Sequence, residues 1–454
     1  MALPPEGWPV YGVNAQCAHN EALALNNRVM CPIDPPLPQD TNALWSTMTT
    51  WLPRLSLQKA EGSEVLALMN PASRKKYRRF MMMPSYSLMH WMSRTRLFTK
   101  MERIPIVKRG KPKAPRAIQT RSQHYHWLLA AYTKPLEHHL YNWRIQGLRV
   151  IAKGLNLNQR ANLLRKHMRP GRVCISLDAT DWDGHCSPPL LNLEHRYYLR
   201  TFQYDPSLQQ LLRCQLTNQG TTLTGLSYLV QGSRMSGDMN TALGNCVLAA
   251  SLALHAAERV HPKCIESGRV SVVCDGDDTL LFADEELLQP LLDELPRIYA
   301  LFGHVLRVDG VAKSLQDIEF CQHKPMELSN GCWVMVPDPR KVLQTAFMAT
   351  GRHAFSLPYY GTLWDCRARV HCGVPVYGPL FSRLARENPE RLGTPTFFGF
   401  ECADPGFRDL EITMDQRHQF AELFDFPLEL QYLYENASVT FHPSIDMGDP
   451  AALG

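Results

Sequence analysis

Apolar and polar positions change period several times along this chain, and each change marks an element. In LNQRANLLRKHM (157–168) the apolar positions Ala161, Leu164 and Met168 recur at helical spacing, and Pro170-Gly171 then breaks the chain. VCISLDATDWDGH (173–185) opens on β-branched and apolar residues, which predicts a strand. Residues 123–143, containing HYHWLLAAY, and LLNLEHRYYLR (190–200) read as helices. GSRMSGDMNTALGNCVLAASLALHAA (232–257) passes from a glycine-containing loop into a long apolar helix, with Asp238 expected as its N-cap. SVVCDGDDTLLF (271–282) predicts two buried strands around a turn at Asp275-Gly276. LLDELPRIYALFG (291–303) is a further helix, and IEFCQHKPM (318–326) with CWVMVPD (332–338) reads as a closing hairpin. Helices are expected again near 342–350 and 380–387. Residues 1–70 are Pro-rich in PIDPPLPQD (32–40) and suggest no chemistry. There is no internal repeat and no low-complexity block.

Composition bounds the class. The chain has 454 residues, 45% hydrophobic and 20% charged, which excludes a disordered protein and suits two to four domains or one multi-lobed enzyme. The net charge of +5 does not by itself argue for a nucleic-acid partner. Its distribution does: residues 74–121 hold fifteen Lys or Arg and one acid, Glu102, with RKKYRR at 74–79. A single basic run is often a solvated face; two runs with so little compensating acid point to a polyanion. The thirteen cysteines include no C-x-x-C pair, and Cys366, His371 and Cys372 come nearest to a zinc cluster but lack a fourth ligand. Reduced thiols in a cytosolic protein are the better reading. MALPPEGWPV lacks the features of a signal peptide, and the apolar stretch 239–257 contains Asn240, Asn245 and His255, so a buried helix is expected there, not a membrane span.

The chemistry concentrates in a few segments. CDGDD places Asp275, Asp277 and Asp278 in four positions between apolar strands, and Asp178 ends another strand 99 residues before Asp277. Neighbouring strands would bring three carboxylates together, a costly arrangement unless divalent cations neutralise it. Two Mg²⁺ ions about 4 Å apart stabilise both the attacking and the leaving oxygen of a phosphoryl transfer. Taken alone, DGDD also fits a surface turn. Ser236 precedes a helix on which Thr241 and Asn245 are four apart and share a face, as ribose recognition requires; Gly232 and Gly237 would let the backbone approach a ligand. A capped core helix is the plainer alternative. KRGKPKAPRAIQTR (108–121) spaces cations with Gly and Pro, giving an extended segment from which Lys113 and Arg116 would meet a triphosphate or an RNA backbone.

These segments together resemble the viral RNA-dependent RNA polymerases, most closely those of tombusviruses and their relatives. The resemblance covers roughly residues 100–340 and rests on PRAIQTRS (115–122), KPLEHHLY (134–141), KGLN (153–156), the D-x4-D of LDATDWDGHCS (177–187), GSRMSGDMNTALGN (232–245), CDGDD (274–278) and IEFCQHKP (318–325), in the family's order. It implies an α/β (α+β) right-hand fold with an antiparallel palm sheet. Residues 1–70 would join fingers and thumb, 71–171 and 188–231 form fingers, 172–187 and 232–338 palm, and 339–454 thumb. It implies that Asp178, Asp277 and Asp278 serve two Mg²⁺ or Mn²⁺ ions, and that Asp183, Ser236, Thr241 and Asn245 select ribose. Asp181 is an extra carboxylate, since the spacing from Asp178 matches Asp183. The basic finger motif corresponds to Lys111, Lys113, Arg116 and Arg121. Lys313, in VDGVAKSLQD, is the candidate general acid toward departing pyrophosphate. RNA contacts are expected from Arg74, Lys75, Lys76, Arg78, Arg79, Lys108, Arg109, Gly232 and Gly237.

The implied partners are RNA template and product, ribonucleoside triphosphates and a membrane-anchored viral replication protein, with no DNA. The implied location is the host cytoplasm at membrane-associated replication complexes. A reverse transcriptase would carry Y-x-D-D where this chain has C-D-G-D-D. A capsid-like RNA binder would explain the cations but not the carboxylates. A P-loop helicase is disfavoured because no G-x-x-x-x-G-K-[ST] is present.

Overall fold

A computed structural model of the chain describes residues 8–438 except 9, 32, 84–86, 106, 109, 110, 113, 348–355 and 393–409; for 107, 108, 111 and 112 it describes the backbone alone. The candidates Arg109 and Lys113 therefore lie outside the described residues, as do the side chains of Lys108 and Lys111.

A four-stranded antiparallel sheet organises the molecule. Its order is Val270–Asp275, Asp278–Asp284, Arg172–Ala179, Leu306–Ala312. Both faces are covered, which explains why the strands carry apolar residues on both sides. Ile175, Leu177, Val272 and Leu281 pack into the large core built around the helix Thr241–Val260. Val273, Leu280 and Phe282 face the other way, toward a core shared with the helix Leu157–His167 and the hairpin His323–Glu327/Trp333–Pro337. Fifteen of the twenty residues of Thr241–Val260 are buried, so its apolar length is spent inside the protein. Among the described residues no helix is long and apolar enough to cross a membrane.

A second sheet runs Ser227–Gln231, Thr217–Thr222, Thr95–Thr99, Ala117–Thr120, with one parallel pairing between Thr217–Thr222 and Thr95–Thr99. Towards the C-terminus, Trp364, Tyr377, Phe381, Phe420 and Phe426 form a separate aromatic core. Trp8 reaches it from the other end of the chain, stacking on Tyr434 with ring centroids 5.7 Å apart. His371 belongs to this core, 5.0 Å from the Tyr377 ring, and burial pushes its pKa down to about 3. Among the described residues it joins no group of metal-binding side chains, so Cys366, His371 and Cys372 form no zinc site there. Helices and predominantly antiparallel sheets thus combine in a mixed fold, as the sequence predicts.

The long helix corrects one expectation. It starts at Thr241 with Asn240 as N-cap residue, whose side chain makes no capping hydrogen bond among the described residues. Asp238 is instead consumed by a buried ion pair with Arg121.

Candidate active site

The carboxylates are placed by strand register. Thr279 pairs with Leu177, so continuing the ladder by one residue sets Asp278 across from Asp178. Asp275 pairs with Asp278 across a two-residue turn, Gly276-Asp277. The turn requires Gly276, whose φ of 78° is strained for residues with a side chain. Its amide donates to Cys246 Sγ on the long helix at 3.0 Å, fixing the turn against the core. Asp275, the first acid of the cluster, does not face the others freely. It is 8% exposed and paired with both Lys153 and Arg160, which gives the KGLN segment a role in holding the turn.

Electrostatics report the proximity of the rest. Burial raises Asp278 to about 6, reinforced by Asp277, Asp275 and Asp178. Burial also raises Asp277, with Asp178 adding to the rise and Arg116 and Lys153 opposing it. Asp183 is raised to about 6 by burial, and Asp277 contributes to that rise. Carboxylates that hold each other's pKa up form a site with an unmet need for positive charge. Hard oxygen donors of this kind suit a divalent cation such as Mg²⁺. They are not preassembled: among the described residues no three acids, His or Cys close up as metal ligands. One oxygen of Asp178 is held at 2.6 Å by Arg307, its ladder partner on Leu306–Ala312.

The sugar-reading candidates are brought to the same place in part. Asp183 sits on a short 3-10 turn, Trp182–His185, just beyond the Asp178 strand. Its Oδ1 accepts from Asn245 Nδ2 at 2.9 Å, while Asn245 Oδ1 is buried and, among the described residues, has no hydrogen-bond partner. A buried acceptor without a donor, beside a carboxylate, is suited to a ligand hydroxyl. Ser236 and Thr241 are spent within the protein. Ser236 Oγ donates to Ala117 O at 3.1 Å and accepts from Gln119 N at 3.2 Å, and Thr241 Oγ1 donates to Met235 O at 2.7 Å. Gly232 and Gly237 serve close packing: a Cβ would meet Cys186 O at 2.8 Å and Gln119 O at 2.5 Å, respectively.

The cations divide more sharply. Arg116 is half-exposed beside Glu102, at 3.3 Å, and its charge is close enough to lower the pKa of both Asp183 and Asp277. Arg121 is committed elsewhere. Its guanidinium is buried, donates from Nε to both Asp238 oxygens at 2.9 and 3.0 Å, and also bonds Asn218 Oδ1. It braces the 232–240 loop and offers nothing to a phosphate. Lys313 also lies elsewhere. The strand Leu306–Ala312 begins level with the carboxylates, Arg307 opposite Asp178, and runs away from them. Lys313 follows its last residue, five positions on from the level of Asp178 or roughly 16 Å at strand rise, and pairs there with Glu285 at 2.7 Å. Arg74 folds back to donate to Leu66 O, Ala67 O and Met69 O, whereas Lys75, Lys76, Arg78 and Arg79 stand exposed on the helix Pro71–Met81.

Sequence reasoning also missed a buried pair. Arg234 is ion-paired with Glu194 beneath the 232–240 loop, and Arg234 N donates to Asp183 O at 2.8 Å. Burial alone would raise the Glu194 carboxyl, but Arg234 holds it below its ordinary value. An acid inside the apolar pattern of 190–200 was the available signal.

Comparison with known proteins gives the family. A family model described as viral RNA dependent RNA polymerase matches residues 12–419. The RNA-directed RNA polymerase of Tobacco necrosis virus (strain A) is 30% identical over 304 residues, covering 64% of this chain and 41% of that protein. That of Turnip crinkle virus is 32% identical over 299 residues, covering 64% and 37%. That of Maize chlorotic mottle virus is 32% identical over 299 residues, covering 63% and 29%. The chain thus spans less than half the length of these relatives, and the match takes in both the Asp178 strand and the Asp277 turn: the chain belongs to the viral RNA-dependent RNA polymerase family.

Proposed function

We propose that the chain carries out template-directed RNA synthesis from ribonucleoside triphosphates, replicating a positive-strand RNA genome. The observation that carries this reading is the ladder register that sets Asp178 across from Asp278 and beside Asp277. In the reaction, the 3′-hydroxyl of the growing strand attacks the α-phosphate and pyrophosphate leaves. Two divalent ions, Mg²⁺ or Mn²⁺, held by Asp178, Asp277 and Asp278, would supply the neutralising charge that such a transfer needs.

The chain's own residues do the rest. Arg116 meets the triphosphate from the side facing Asp277, as a planar fork suited to phosphate oxygens. Asp183 and Asn245 read the ribose: the vacant Asn245 Oδ1 accepts from a sugar hydroxyl while its amide keeps Asp183 in place. A deoxyribonucleotide leaves that acceptor unpaired, which is how a polar site rejects an analogue. Arg307 must release Asp178 when the site fills. Template sequence is read by base pairing, and the exposed cations of Pro71–Met81 grip the RNA backbone. In the right-hand scheme the central sheet is palm, the basic region and second sheet belong to the fingers, and the C-terminal aromatic core is thumb. A membrane-anchored viral protein would bring the chain to replication sites in the host cytoplasm.

The test is synthesis by the purified chain on an RNA template with ribonucleotides and Mg²⁺ or Mn²⁺. Wild type should make template-length product. Asp277→Asn should lose activity by about 10³-fold or more, a loss of several kcal/mol of transition-state stabilisation, with RNA binding retained. A folded wild type that makes no template-dependent product, or an Asp277→Asn variant as active as wild type, overturns the proposal.

A further inference from the structure

Asp181 has no part in the reaction as proposed, yet it is built into the turn that carries Asp183. It adopts a left-handed backbone, φ 49°, and precedes the 3-10 turn Trp182–His185. Its carboxylate is ion-paired with Arg28, the last residue of the helix Ala18–Arg28. The contact is wider than one ion pair. A Cβ on Gly184 would meet Arg28 O at 2.7 Å and Cys31 Sγ at 2.9 Å, so the N-terminal segment lies directly on the turn. Further along, a Cβ on Gly303 would meet Asp34 O at 2.7 Å. The next residue, His304, stacks on Trp182 of the same turn, with centroids 4.2 Å apart.

The segment is anchored on its other side. Buried Glu21 accepts from the amides of Leu223 and Thr224 at 3.2 and 3.0 Å, and Tyr11–Val13 pairs with Arg103–Pro105. Asp183, Arg116 and Glu102 are among the charges that act on Arg28. The N-terminal segment therefore joins the second sheet to the Asp183 turn, which it meets through the Arg28–Asp181 ion pair and the close approach of residues 28–31 to Gly184.

We infer that Arg28 is a positioning residue for sugar selection: by holding Asp181 it fixes the turn so that the Asp183 carboxylate stays on Asn245. Losing the tether lets the turn relax, and the ribose site loosens before the carboxylates of the central sheet are disturbed. This inference rests on the proposed polymerase reading.

The experiment compares wild type, Arg28→Ala, Arg28→Lys, Asp181→Arg, Arg28→Asp and the double reversal Arg28→Asp with Asp181→Arg. Hydrogen exchange reads the turn without requiring activity. In Arg28→Ala, amides of 180–186 should exchange about tenfold faster while 270–284 stay protected, and the double reversal should restore protection. Single-nucleotide incorporation reads the consequence. Arg28→Ala should raise KM for ribonucleotides and lower the ribo-over-deoxyribo preference about tenfold, the scale of a modest misplacement of a binding group, with kcat changed less. Arg28→Lys and the double reversal should recover most of the preference. Unchanged exchange, unchanged sugar preference, or a double reversal no better than its single variants overturns the inference. Absence of synthesis by the wild type sinks the polymerase reading and the sugar half with it; unchanged exchange sinks the tether alone.

Discussion

His167 shows how completely one residue is committed to a protonation state. Its Nε2–H donates to Arg149 O at 3.1 Å, and its Nδ1 accepts from Ser271 Oγ at 2.9 Å. Ser271 Oγ in turn accepts from Arg172 at 3.1 Å, so every group is satisfied only with the imidazole neutral. Burial lowers its pKa to about 4, and Arg172 adds to the fall. His195 and His323 are likewise held at about 4 by burial, and His304 at about 3. Between those values and the ordinary 6.5 the unfolded chain binds protons that the folded one refuses. The stability due to neutral histidine is complete above pH 6.5 and is lost as pH falls towards 4, by about 2 kcal/mol per residue at pH 5. The melting temperature should therefore drop between pH 7 and pH 5, and His167→Gln should flatten the slope in calorimetry across that range. Single residues were only partly legible in the sequence. Asp178, Asp277 and Asp278 stood out because acids between apolar runs are costly without a function. Arg121 looked like one more phosphate-binding cation, because its partner Asp238 lies 117 residues away and only the fold reveals their pairing.

At the scale of elements, the 232–240 loop owes its shape to partners that its own sequence does not contain. Asp238 is clamped by Arg121 with both side chains almost wholly buried, at 1% and 4% exposure. Burial alone would raise the Asp238 carboxyl, but Arg121 holds it below its usual value. Asp238→Asn would leave the guanidinium buried without its countercharge, a change that costs about 3–5 kcal/mol. Its urea unfolding midpoint should fall accordingly, whereas removal of the exposed partner in Lys313–Glu285 should leave the unfolding free energy within about 0.5 kcal/mol of wild type. Elements with a clear period were readable: the helix Leu157–His167, the two strands flanking Gly276 and the long helix all lie close to where the apolar pattern puts them. Leu306–Ala312 was not recognised, because its register shifts around Asp309 and most of it is exposed, which breaks the alternation. Without that strand, the distance of Lys313 from the carboxylates was invisible. Residues 1–70 suggested no chemistry and no element was assigned there, yet Pro38 opens the helix Pro38–Trp51, where a missing amide costs nothing.

Across the whole molecule, convergence of distant segments is what the sequence conveys least. The register that joins Asp178 to the Asp277 turn could be anticipated only from the order of motifs, and the reach of Arg28 to Asp181 not at all, since neither periodicity nor charge marks a contact 153 residues apart. Charge distribution, by contrast, survives folding. The helix Pro71–Met81 buries only Tyr77 and Phe80, which pack against Trp127 with ring centroids 6.4 and 6.0 Å away. Its remaining face presents Lys75, Lys76, Arg78 and Arg79, and among the described residues none of them is ion-paired with an acid. Arg79 also donates to Gln123 Oε1 at 2.8 Å and lies over Phe80, and Lys76 lies over Tyr77, yet the exposed face still suits the phosphates of a single strand. Each phosphate contact releases counterions, so binding weakens linearly in the logarithm of salt with a slope of about 0.7 per contact on single strands. Replacing all four cations by Ala should flatten that slope by about 3 if each meets a phosphate, and should weaken binding equally for unrelated template sequences. Nucleotide addition at saturating RNA should stay near wild type, because the substitutions lie outside the carboxylate site. Fluorescence anisotropy with a labelled RNA across a salt series measures the slope directly, and an unchanged slope would assign the RNA path to another face of the molecule.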